Sequence, residues 1–126
     1  MGKYKLPVSE SAEQIALFQW AGLQTRKYPP LEWLYHIPNG GKRHITTAYR
    51  LKLEGVKAGV PDICLPFAAG GFHGLYIELK AGKNTATDNQ SKWICYLQGN
   101  GYCAAVCHGW EAAARLIIEY LKGGIL

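Results

Sequence analysis

The segment "LYIELK" at residues 75 to 80 alternates apolar with polar: Leu75, Ile77 and Leu79 fall on one side, Tyr76, Glu78 and Lys80 on the other. That period of two predicts a strand whose only two charges leave the same face. The run "AEQIALFQWAGLQTR" instead follows a helical period and predicts a helix over roughly residues 12 to 26, with Ser11 as its N-cap and Gln14 closing a capping box. Its expected core stripe is Ile15, Phe18, Gly22 and Leu23, while Glu13 lies on another side beside Leu17 and Trp20. "WEAAARLIIEYLK" places Ala113, Leu116, Ile117, Tyr120 and Leu121 at core spacing and predicts the last helix, stopped by "GGIL".

Between these lie shorter signals. "LEWLYHIP" predicts a strand and "NGGKRH" a turn, followed by a short helix over about 45 to 54 that ends at Gly55. "KAGVPDICLPF" predicts a turn leading into a strand opened by Pro61, and "AAGGFHG" is the turn before "LYIELK". Thr87 is the expected N-cap of a helix ending near Gly99 to Gly101, and "YCAAVC" is a further strand. Helix, strand, helix, strand, strand, helix, strand, helix is the pattern of an α/β sandwich. Repeats, low-complexity tracts and linkers are absent, so one domain over residues 1 to 126 is expected.

Composition narrows the function. A chain of 126 residues with 48% hydrophobic and 18% charged residues can bury one core. The net charge of +5 is uneven: Lys42, Arg43, Arg50, Lys52, Lys57, Lys80, Lys83 and Lys92 face only Glu54, Asp62, Glu78 and Asp88 across that stretch. A phosphate-rich partner fits such a bias, as does a solvated basic surface. "MGKYKLPVSE" has no apolar signal core and no stretch is long enough to span a membrane, so the expected location is cytoplasmic. Cys64, Cys95, Cys103 and Cys107 form no Cys-x-x-Cys pair and sit among apolar neighbours, the pattern of reduced core thiols.

The chemistry emerges from the hairpin. A turn centred on residue 70 or 71 sets Asp62 opposite Glu78 or Lys80, and in both registers facing residue numbers sum to an even value. Asp62, Glu78 and Lys80 then project from one face, and only a one-residue slip separates them. Taken alone this could be a cross-strand salt bridge on a wet surface. With Glu13 brought in by a covering helix, the surplus negative charge calls for a cation. Hard oxygen ligands without thiolates suit magnesium or manganese.

Here the sequence resembles a known family. Asp62 in "GVPD", followed by "ELK" with Glu78 and Lys80, is similar to the PD-(D/E)XK nuclease signature. "EQ" at Glu13 and Gln14, "IPNGGKR" at 37 to 43, "GVKAGVPD" at 55 to 62, "GLYIELK" at 74 to 80, Gln90, "GY" at 101 and 102 and "GW" at 109 and 110 together resemble the VRR-NUC branch. The resemblance implies a restriction-endonuclease-like core, a mixed central sheet flanked by helices. It implies that Asp62 and Glu78 hold a divalent metal, Mg2+ or Mn2+, that the backbone carbonyl of Leu79 adds a ligand, and that Glu13 contributes through the metal shell. By the same resemblance, Lys80 positions or activates the attacking water. Gln90 can close a capping box with Thr87 or serve the site, and the resemblance favours the site. Lys42, Arg43, Arg50, Lys57 and Lys83 are the expected DNA contacts, whereas Asn39 is expected to shape a turn.

The implied activity is metal-dependent DNA endonuclease, with branched DNA as substrate and a homodimer, of the kind that resolves four-way junctions, as the working form. A nucleic-acid-binding module that keeps the fold without cleaving is the alternative.

Overall fold

The alternation in "LYIELK" forms β3 (Leu75–Lys80), an inner strand of a four-stranded mixed sheet. The computed structural model describes residues 9–38 and 44–123. β2 (Ile63–Leu65) pairs antiparallel with β3 on one side, and β4 (Cys103–His108) pairs parallel on the other. The short β1 (Tyr35–His36) runs antiparallel to β2, giving the order β1-β2-β3-β4.

α1 (Glu10–Gln24) and α4 (Trp110–Leu121) pack on each other and on the face carrying Leu75, Ile77 and Leu79, with Leu17, Ala21, Ala113, Ile117 and Tyr120 in the same core. α3 (Asp88–Gly99) is the crossover that a parallel pair requires, linking β3 to β4. It covers the opposite face, where Ile94 and Leu97 meet Ala104, Tyr76 and Val106. Glu78 and Lys80 therefore share their face with Tyr76, under the cover of α3. α2 (Ile45–Leu53) lies between β1 and β2 in the chain and contributes no buried residue.

The helix expected over 12 to 26 starts earlier. Ser9, not Ser11, is the N-cap, its side chain accepting from the Ala12 amide at 3.0 Å, so Glu10 is the first helical residue. The core stripe differs in part: Leu17 and Ala21 are buried and the expected Phe18 packs against the same core, whereas Ile15 and Leu23 are 56% and 82% exposed. Apolar residues occur around more than one side of this helix, so periodicity admits several stripes, and packing on α4 selects the one with small Ala21 at its centre. In "LEWLYHIP" only Tyr35 and His36 pair as a strand; the preceding prolines open a short 3-10 helix, Pro29–Trp33, as their fixed φ favours. The remaining elements form close to their expected bounds, with Gly55 at φ 103° after α2 and Thr87 capping α3. Among the cysteines Cys64, Cys103 and Cys107 are buried free thiols, but Cys95 is exposed on α3. Among the described residues no helix is long and apolar enough to cross a membrane.

The hairpin reaches the expected even register by an unexpected route. Ala69 and Phe72 bridge across Gly70 and Gly71, whose φ values of 57° and 87° make a two-residue turn only glycine forms readily. That turn alone would place Asp62 across from Leu79. Instead Leu65 pairs with Leu75 and Ile63 with Ile77, so residues 66 to 68 face only residues 73 and 74. The extra residue makes a bulge within residues 66 to 68, a place where Pro66 is tolerated, and the Phe67 carbonyl there is held by the Tyr120 hydroxyl of α4 at 2.6 Å. Continued one step, the restored register brings Asp62 to Glu78.

Candidate metal centre

Glu78 is 1% exposed. Its Oε2 accepts from Gln90 Nε2 at 3.1 Å and lies 3.6 Å from Lys80 Nζ. Its Oε1 is buried without a hydrogen-bond partner, and among the described residues no other buried side-chain oxygen or nitrogen is in that condition. Burial, reinforced by the nearby negative charge of Asp62, pushes the Glu78 carboxyl up to about 8, against the pull of Lys80. Leaving a buried acceptor unpaired costs about 1–3 kcal/mol. An acceptor in that condition is open to a cation or to a bound water.

Asp62 is fixed from two sides. Its carbonyl accepts from the Ile37 amide at 2.6 Å and lies 2.9 Å from His36 Nδ1, tying it to the end of β1. Its Oδ2 accepts from the Leu79 amide at 3.1 Å, so a side chain continues the contact that β2 makes with β3. Within a strand, the N–H and C=O of one residue point to the same edge, so the Leu79 carbonyl turns toward Asp62 as well. Leu79 accordingly lines a cleft with Glu10, Gln14, His36 and Asp62, although its side chain is buried.

The third carboxylate is Glu10. One carboxylate oxygen each from Glu10, Asp62 and Glu78 lie within 4.8 Å of one another, and Glu10 Oε2 is 4.0 Å from Lys80 Nζ. Lys80 is only 6% exposed, held between Glu78 and Glu10. The donor set is all hard oxygen, which fits a divalent cation of the magnesium class, and the orphaned Glu78 Oε1 is the atom such an ion would satisfy.

Glu13, expected in the metal shell, is not part of this group. Its Oε1 accepts from the Trp110 amide at 2.8 Å. α4 begins at Gly109, which has no side chain to cap it, and Glu13 supplies the cap from another helix while its charge favours the positive end of the dipole. Glu13→Ala is accordingly expected to cost about 1 kcal/mol of stability, Glu13→Gln much less because its amide oxygen can still accept. Neither should shift the metal affinity, whereas Glu10→Gln should lower that affinity with little effect on stability. Thermal melts with and without added Mg2+ compare all three. The misplacement arose at the N-cap: with Ser9 as cap, Glu10 joins the first turn and Gln14 follows it at i+4 on one face.

Gln90 closes the capping box and also contacts Glu78. Its Oε1 accepts from the Thr87 amide at 2.8 Å, completing the capping box, while its Nε2 donates to Glu78. One amide carries acceptor and donors, so capping orients the group that holds the carboxylate. Of the expected DNA contacts, Arg50 is exposed in the last turn of α2, and Lys57 and Lys83 are exposed in the loops that follow α2 and β3. His108 Nε2, 2.8 Å from the Asn84 carbonyl, ties the loop bearing Lys83 to the end of β4. Lys42, Arg43 and Asn39 lie outside the described residues. Sequence reasoning passed over Glu10, and gave His36 no task; only proximity in the fold shows His36 bracing Asp62.

Residues 9–111 match the family model of the VRR-NUC domain. A solved structure described as a "VRR_NUC domain protein" is 34% identical and superposes with a TM-score of 0.80, the alignment covering 94% of this chain and 93% of that one. No curated protein matches the chain. With the family model spanning most of its length and the same fold in a relative of that identity, the chain belongs to the VRR-NUC family of nuclease domains.

Proposed function

We propose that the protein is a metal-dependent endodeoxyribonuclease that uses Mg2+ or Mn2+, formed as one domain over residues 1 to 126. The observation that carries this reading is Glu78: a buried carboxyl with one orphaned oxygen, converging with Asp62 and Glu10 beside a buried lysine. Asp62, Glu78 and the Leu79 carbonyl would hold the ion, with Glu10 in the position first assigned to Glu13. Bound there, a divalent cation supplies Lewis acidity toward a phosphodiester oxygen and makes water acidic enough to attack near neutral pH. The chain does the rest. Gln90 fixes Glu78, the Leu79 amide fixes Asp62, and Lys80 sets positive charge where the attacked phosphate gains negative charge.

Lys42, Arg43, Arg50, Lys57 and Lys83 would contact phosphates of the bound DNA. Lys42→Ala combined with Arg43→Ala should weaken binding at low salt and reduce the slope of log affinity against log salt by about one per lost contact. Affinity measured in Ca2+ over a salt series checks it, and an unchanged slope removes that loop from the binding surface.

Branched DNA and a homodimer complete the reading. Among the described residues one carboxylate group could hold a metal, and two-fold pairing would supply a second that matches the symmetry of a four-way junction. Incubating the pure protein with labelled junction, flap, nicked and linear DNAs in Mg2+, Mn2+ or EDTA tests the activity, and light scattering tests the dimer. DNA binding without cleavage in either metal would turn the assignment to a binding module.

A further inference from the structure

The outer side of α3 carries an aromatic corner that the core uses only in part: Trp93 packs against the cluster of Ile94, Leu97 and Ala104, and Tyr96 is left exposed. Ile94 and Leu97 already seal this helix against β4. Trp93 is half-buried, and its indole Nε1 donates to the Ala58 carbonyl at 3.1 Å, which anchors the ring on the segment between α2 and β2 and engages its one polar group. Tyr96 is 64% exposed and stands nearly perpendicular to Trp93, with centroids 6.5 Å apart and planes at 80°. The two rings and Lys92 line a shallow apolar pocket. With the indole donor committed, the pocket offers ring faces and one ammonium, which suits a flat partner carrying negative charge.

Its position supplies the partner. Gln90, on the same helix, touches Glu78. Trp93 and Tyr96 follow one and two turns later, about 4.5 and 9 Å along the axis, or about one to three nucleotides of a strand. Lys92 lies on the pocket and Lys57 precedes the Ala58 anchor, both exposed. A second copy docking here about a two-fold axis would set these cations against themselves, whereas a nucleic acid would neutralise them. A paired base has both faces covered by its neighbours in the stack; an unpaired one has a free π-face for a ring.

Resting on the nuclease reading, we propose that the Trp93–Tyr96 corner stacks an unpaired base of the DNA, about one to three nucleotides from the phosphate at the carboxylate centre, with Lys92 and Lys57 on flanking phosphates. The corner is thereby a specificity element for DNA that is not continuous duplex. The test measures binding in Ca2+, without cleavage, to a blunt duplex and to the same duplex with two unpaired bases, one of them 2-aminopurine. Tyr96→Ala should lose about tenfold more affinity for the second DNA than for the first, Tyr96→Phe should behave as wild type, and the 2-aminopurine quench should vanish only in Tyr96→Ala. Equal losses on both DNAs, or no quench in the wild type, overturn the proposal. So does a concentration-dependent dimer that Tyr96→Ala dissociates, which would assign the corner to self-association. Absence of any DNA binding would instead overturn the nuclease reading beneath it.

Discussion

Glu78→Gln is expected to abolish metal-dependent cleavage, by on the order of 10³-fold or more, while making the metal-free protein more stable than wild type above neutral pH. Glutamine keeps the shape and the neutral character of the protonated acid but cannot ionise. In the wild type the folded carboxyl stands at about 8, well above its ordinary value of 4.5. Between those values the folded state holds the proton that the unfolded state has released, so stability is fully present below the unfolded value and falls as pH rises through the folded one. The fall should amount to about 5 kcal/mol at most over that window, and Glu78→Gln should flatten it. Denaturant melts in EDTA from pH 5 to 9 measure it, and a wild-type profile as flat as the mutant's would contradict the buried-acid picture. Metal affinity should run the opposite way: loading releases the proton, so apparent affinity rises about tenfold per pH unit until near 8. Asp62→Asn should match the loss of cleavage.

Lys80→Met should cost about 10²- to 10³-fold in turnover with DNA affinity in Ca2+ changed less than about threefold. The ammonium is buried between Glu78 and Glu10, and under the proposed nuclease reading it serves chemistry rather than grip. Removing it also withdraws the charge that lowers the Glu78 carboxyl, so metal loading near neutral pH weakens further. Assays at pH 9 with saturating metal separate the effects: loading recovers and turnover does not. Lys80→Arg should fail similarly, because the larger, planar guanidinium cannot occupy the same buried position between two carboxylates. A Lys80→Met enzyme that regains wild-type turnover at high metal would reduce Lys80 to a structural counter-ion.

The alternation of "LYIELK", the cap at Thr87, the stop at Gly55 and the amphipathic last helix are local properties, and each forms where the sequence places it. Glu78 and Lys80 could be set on one face from sequence because strand periodicity constrains which face a residue takes, independent of distant packing, whereas adding Asp62 to them required the register between two strands. The rest depended on contacts between segments far apart in the chain. The turn at Gly70 and Gly71 by itself predicts the wrong register, and a bulge held by Tyr120 of α4 corrects it. Whether Glu10 or Glu13 reaches the carboxylate group turned on which serine capped α1 and on an uncapped glycine at the start of α4, nearly a hundred residues away. The buried acid at Glu78 is likewise a product of the assembled fold: β3 supplies the residue, but its burial, its orphaned oxygen and its raised carboxyl arise only once α3, β2 and α1 have closed around it. Sequence periodicity determines the side on which a charge emerges, and tertiary packing decides which charges meet there and how little water remains between them.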